Sequence, residues 1–183
     1  MSRFEQIFDP TGHPELEQLY QDLNAKGFAM GGVPMNFFTA QSIRPDILAA
    51  SWAFVQSMLI EGKLPRTVKE MIIVAISVQN DCGYCETVHA GALQMMGVSA
   101  EVVNSCVRDP LTAPIPAAHQ QIINFALKIN RDPGSVTAED YEVLREHGMS
   151  DEEILEVVSM ASFAQFLNTW ADISAIQIDG QGA

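Results

Sequence analysis

Residues 66–89 read RTVKEMIIVAISVQNDCGYCETVH, and this stretch decides the fold. From about Arg66 to Val78, the residues Met71, Ile72, Val74, Ala75 and Val78 put apolar side chains nearly all round a helix. A helix without a polar face belongs at the centre of a core. Gln79, Asn80 and Asp81 then mark a turn, with Asn80 or Asp81 as candidate N-caps, and a second helix runs from Cys82 to about Met96 and stops at Gly97. So short a turn permits the two helices to fold back on each other.

Outward from this hairpin, helical periods dominate and strand alternation is absent. Pro14 stands near a helix start, with Leu16, Leu19, Tyr20 and Leu23 at helical spacing, before Gly27, Gly31, Gly32 and Pro34 break the pattern. Another helix begins at Pro45-Asp46, carries Ile47, Leu48, Trp52, Val55 and Leu59, and ends at Glu61-Gly62. Downstream, Ser99 opens a short helix through Cys106, residues 109–116 form a proline-rich loop, and a helix spans about Ala117 to Ile129. Thr137 caps a helix through Leu144, and Ser150 with Glu153 forms a capping box for a last long helix to about Ile176. The expected architecture is all-α and a single domain: an extension over 1–32, a helical core over 33–176 and a tail over 177–183. The segments after Leu64 and Met149 share a build that hints at a duplicated helical hairpin.

At 183 residues the chain is long enough for one substantial core. A net charge of -13 opposes docking onto nucleic acid or an anionic membrane, since both need clustered Lys and Arg. The longest apolar run, Met71 to Ile76, falls far short of the roughly 20 residues of a spanning helix. No signal peptide is read at the N-terminus, and three cysteines, two of them in C-x-x-C, suit a reducing cytosol better than a secreted disulfide framework. An apolar fraction of 48 % beside 18 % charged residues suggests that some apolar surface is covered between subunits.

The chemistry concentrates in E-x11-C-x2-C-x3-H, formed by Glu70, Cys82, Cys85 and His89. Two thiols three positions apart can close a disulfide, and His89, four residues after Cys85, falls on the same side of the helix. A working redox cysteine needs a lowered pKa. The helix start supplies partial positive charge, His89 can take the proton, and Glu70 can orient His89. Charge at the helix start favours thiolate at Cys82, whereas the neighbouring imidazole favours Cys85. Structural zinc and a pair of inert buried thiols are the competing readings, although zinc sites usually bring a second ligand pair. Cys106 reads as a core cysteine, and His13, His119 and His147 as surface or capping residues. Val78, Tyr84, Trp52 and Phe38 are candidates to admit an apolar substrate chain.

With Leu64-Pro65 and Lys69-Glu70 before it and His89-Ala-Gly-Ala after it, the motif resembles the signature of the AhpD-like alkylhydroperoxidases of the carboxymuconolactone decarboxylase superfamily. The segment around Val33-Pro34 is similar to the peroxidase-related branch. The resemblance implies an all-helical fold that assembles as homo-oligomers, trimers or hexamers, with no metal and no other cofactor. It implies an antioxidant peroxidase that reduces organic hydroperoxides with electrons from an external thiol or lipoyl-type donor. Within it Cys85 matches the cysteine that attacks peroxide, Cys82 the resolving one, and Glu70 and His89 the proton relay. Tyr84 stands where well-characterised members carry a further histidine. Two other functions remain open: acid–base chemistry by Glu70 and His89 on a lactone, as in a carboxymuconolactone decarboxylase, and a non-enzymatic module whose disulfide switches an interface.

Overall fold

The structure, a computed structural model, describes residues 2–180. The last three residues of the expected 177–183 tail lie outside the described ones. Among the described residues there are nine α-helices and one two-stranded ribbon, so the chain is all-α as its periodicity requires. It divides into two compact units, a first made of the residues up to Gln56 with those from Trp170 onward and a second spanning Ser57–Thr169.

The first unit holds α1 (Pro14–Ala25), the strands β1 (Ala29–Met30) and β2 (Val33–Pro34), the single turn α2 (Asn36–Thr39) and α3 (Pro45–Val55). The ribbon and α2 are additions to the sequence reading. Gly31 and Gly32 both have positive φ, 60° and 85°, the pair of values that closes a tight antiparallel turn, and Ala29 pairs with Pro34. Phe28, Phe38 and Trp52 form an edge-to-face cluster with ring centres 5.0–5.9 Å apart, and Trp52 Nε1 donates to Asp22 Oδ2 at 2.5 Å. Phe38 and Trp52 are buried in this core. The end of the chain is tied to the same unit: the backbone N–H of Asn36 donates to Asp179 Oδ1 at 2.6 Å.

The second unit is built around α4 (Arg66–Gln79), against which α5 (Gly83–Met95), α6 (Ala100–Arg108) and α7 (Ala117–Arg131) pack. Every residue from Val68 to Ser77 is buried, the outcome expected of a helix with no polar face. The expected caps at Ser99, Thr137 and Ser150 are present, opening α6, α8 (Ala138–Glu146) and α9 (Asp151–Ser174), the last of which continues into the first unit. The helix expected to reach Gly62 from Pro45 instead loosens into one π turn over Gln56–Ile60.

Two charged residues hold the entry to α4. Lys69, buried to its tip, donates to the carbonyls of Met58 (3.0 Å) and Glu61 and pairs with Glu156 of α9. The other oxygen of Glu156 accepts from the backbone N–H groups of Lys63 (2.8 Å) and Leu64 (3.1 Å). Gly62 completes the clasp at φ 106°, where a Cβ would overlap the Glu156 carboxylate. A buried cation survives only when paired and hydrogen-bonded, so Lys69 fixes the loop from which α4 starts.

Candidate functional site

The turn between α4 and α5 places the motif. Asp81 adopts φ 57°, the backbone N–H of Cys82 donates to the Ser77 carbonyl at 2.9 Å, and that of Asp81 to Val78 at 3.3 Å. This is a Schellman closure with an aspartate in the left-handed position usually held by glycine. Neither Asn80 nor Asp81 is the N-cap of α5; Cys82 occupies that position, and its side chain accepts no capping hydrogen bond. Asn80 is diverted by tertiary contacts. Its amide donates to Asn168 Oδ1 at 2.9 Å and accepts from Asn130 at 2.8 Å, while Asn168 donates to Ser77 Oγ at 2.9 Å. The cluster joins α4, α7 and α9 behind Cys82.

Folding α5 back along α4 brings Glu70 to His89. Nδ1 of His89 lies 2.5 Å from Glu70 Oε2, and Glu70 Oε1 accepts from Arg66 Nε at 2.6 Å. Glu70 has no exposed surface, the His89 side chain is 12 % exposed and Arg66 34 %. Burial pushes the Glu70 carboxyl up, but the charge and hydrogen bonds of His89 and Arg66 together outweigh it and hold the group below its ordinary value of 4.5. A carboxyl depressed in the folded state contributes stability that is present above the unfolded value and is lost as pH falls through the lowered one. The melting temperature of the wild type should therefore drop on acidification below pH 4.5 more steeply than that of Glu70→Gln. Parallel acid limbs would contradict the ionised state of Glu70.

Cys82 and Cys85 form no disulfide and are 0 % and 1 % exposed. The Cys82 Sγ lies 3.9 Å from the backbone carbonyl oxygen of Asn168, in a position to donate. His89 follows Cys85 by four residues on α5, one turn along the same face. Tyr84 is buried, as is Cys106, whose thiol is pushed up by burial, the state of an inert core cysteine. His13 and His147 flank helix ends, and His119 lies half-buried on α7 with burial lowering its pKa. Among the described residues no group of three or more His, Cys, Asp and Glu side chains is arranged to hold a metal ion. No helix among them is long and apolar enough to cross a membrane.

Arg66 is the site residue that the motif reading missed. Its signal was available, because an Arg four residues before a Glu on one helix is a spacing that pairs.

Comparison with known proteins bears on the fold and the family. Residues 45–113 match the model of the carboxymuconolactone decarboxylase family. No protein of curated function matches the chain. Among solved structures, it is similar to the alkylhydroperoxidase AhpD core of an uncharacterised peroxidase-related protein from Ralstonia eutropha JMP134. That similarity has a TM-score of 0.88 and 26 % identity and covers 98 % of this chain and 93 % of the other. A peroxidase-related protein from Silicibacter sp. TM1040 superposes with a TM-score of 0.85 at 24 % identity, over 99 % of this chain and 96 % of that one. The debrominase Bmp8, solved with 2,3,4-tribromopyrrole, shares the fold at a TM-score of 0.79 and 18 % identity, over 98 % and 95 %.

Proposed function

From the match of residues 45–113 to the carboxymuconolactone decarboxylase family model and the likeness to an AhpD core, we propose that the chain is a thiol-dependent hydroperoxide reductase whose oxidisable pair is Cys82 and Cys85. The observation that carries this reading is the 2.5 Å contact of His89 Nδ1 with the buried Glu70 carboxylate. It leaves Nε2 as the nitrogen for an exchangeable proton, one helical turn from Cys85.

In the cycle, His89 takes the Cys85 proton at Nε2, and Glu70 holds the resulting imidazolium. The thiolate sulfur attacks the distal oxygen of ROOH; the S–O bond forms as the O–O bond breaks, and His89 returns the proton to the leaving alkoxide as ROH. Cys82 then displaces hydroxide from the Cys85 sulfenic acid, giving the disulfide and water. An external dithiol restores both thiols by exchange, taking the oxidation onto itself.

The division of labour rests on the acceptor near Cys82. The Cys82 thiol faces the Asn168 carbonyl oxygen at 3.9 Å, a hydrogen-bond acceptor and not a base. Cys85 has the imidazole instead. Burial of both sulfurs supports a slender lipoyl-type dithiol as reductant rather than the surface of a folded thiol protein. Homo-oligomerisation belongs to the same reading, supported by the exposed apolar side chains of Met95 and Leu155.

Steady-state turnover of cumene hydroperoxide with dihydrolipoamide tests the reading, with the Cys82→Ser, Cys85→Ser double variant as control. Turnover by the wild type alone is expected. Lactone consumption that survives in the double variant would favour acid–base chemistry. Reduction of 2,3,4-tribromopyrrole in place of peroxide would move the substrate to the organohalides on which a fold neighbour acts. Absence of all turnover, with an oligomer that changes on oxidation, would favour a redox-switched module.

A further inference from the structure

The relay contains a third charged group. Arg66 Nε donates to Glu70 Oε1, so the two carboxylate oxygens are divided between a permanent cation on α4 and an imidazole on α5. We infer that Arg66 is the positioning residue that sets the proton location in His89, holding Glu70 as an anion with its second oxygen aimed at Nδ1 so that Nε2 stays free to act as the base. This inference rests on the peroxidase reading for its meaning in turnover, but the proton location itself is independent of substrate.

The physical case follows from burial. A carboxylate with no exposed surface is costly unless a cation compensates it. Among the described residues, two charged partners contact Glu70, Arg66 from its own helix and His89 from α5. Lys69, next in sequence, is occupied with Met58, Glu61 and Glu156. Remove Arg66, and Glu70 has two ways to avoid a bare buried charge. It can keep His89 doubly protonated, in which case the imidazole already carries the proton it should accept. Or it can take a proton itself and donate it to Nδ1, which forces the ring proton onto Nε2. Either outcome blocks the base. With Arg66 present, part of the carboxylate charge is compensated by a group that cannot lose its proton, and His89 can hold one proton at Nδ1 and accept the next at Nε2. The Glu70 carboxyl is held low by His89 first and by Arg66 after it.

The guanidinium suits this role because it cannot lose its proton and its planar fork fixes the oxygen it binds. The side chain is 34 % exposed, and methionine keeps much of its aliphatic length, so a neutral variant should remain folded. The risk in such a variant is a stranded Glu70 anion, which the protonation shifts above relieve.

The test is the 15N spectrum of the histidine rings, which distinguishes Nδ1–H, Nε2–H and doubly protonated imidazole without any turnover. For the reduced wild type near neutral pH, His89 should be the Nδ1–H form; in Arg66→Met it should be the Nε2–H or doubly protonated form; Arg66→Lys should retain the wild-type signal. The rate of Cys85 alkylation should fall by about 10²-fold in Arg66→Met, the range expected when a positioned base is lost, and recover in Arg66→Lys. If Arg66→Met fails to fold, Arg66→Gln carries the same comparison. An Nε2–H ring in the wild type, or an unchanged Nδ1–H ring in the neutral variant, would overturn the inference. A His89 signal that behaves as stated in a protein that reduces no hydroperoxide would uphold it while removing the peroxidase reading.

Discussion

Replacing Cys85 with serine is expected to remove hydroperoxide reduction, a loss on the order of 10⁴-fold or more, because Cys85 is the thiol that the relay activates. Serine preserves size and the helical face but not the nucleophile, so α5 and its contact with His89 should survive. The Cys82→Ser variant should behave differently. It should complete one attack per chain, with loss of a single thiol, and then stop for want of a resolving partner. Rapid-mixing kinetics with excess hydroperoxide, followed through thiol consumption, separates the two. A Cys82→Ser protein that cannot perform the first step, beside a Cys85→Ser protein that can, would reverse the roles of the two sulfurs and return the argument to the charge at the helix start.

Glu70→Gln should produce the next largest effect. Glutamine keeps the shape and can still accept from Arg66, but it cannot offset the charge of an imidazolium at His89. Loss of general acid–base assistance lowers rates by about 10²–10⁴-fold, and the deficit should lie within that range at neutral pH. It should shrink at alkaline pH, where hydroxide supplies the Cys85 thiolate without the relay. A pH–rate profile of Cys85 alkylation measures this directly. The effect on stability is expected to be smaller than that on rate, because the substitution removes a buried charge rather than stranding one, and the groups left behind, Arg66 and His89, both reach solvent. A deficit that stays constant across pH would mean that Glu70 acts through the packing of α4 and not through a proton.

The fold was legible where a short stretch of sequence carries its own physics. The run from Met71 to Ile76 has no polar face, and no environment other than the centre of a unit suits it. Ser99, Thr137 and Ser150 cap helices through bonds that span three residues, so each could be read locally. The same logic misled at Asn80. Its amide is claimed by Asn130 and Asn168, fifty and eighty-eight residues away, and these long-range bonds outcompete the local cap. The β ribbon escaped because two residues per strand leave no alternation to detect, although Gly31-Gly32 marked its turn.

At the site, the spacing of Cys82, Cys85 and His89 was legible because one helix carries all three. The approach of Glu70 was legible only as a condition, that the two helices fold back, and the Asp81 turn meets it. Two features needed coordinates. The carbonyl of Asn168 beside Cys82 arrives from α9 with no side-chain signature, since any residue there would present the same oxygen. Arg66 was visible but ambiguous, because surface Arg–Glu pairs at that spacing are common and mostly weak. Its weight comes from the complete burial of its partner.

The central claim is that Glu70 and His89 act on Cys85 and not on Cys82. Trapping the sulfenic acid with dimedone after one equivalent of cumene hydroperoxide, followed by mass spectrometry of both single Cys→Ser variants, tests it most directly. A dimedone adduct on Cys85 in Cys82→Ser, with none on Cys82 in Cys85→Ser, is the predicted result. An adduct on Cys82 alone would contradict the account.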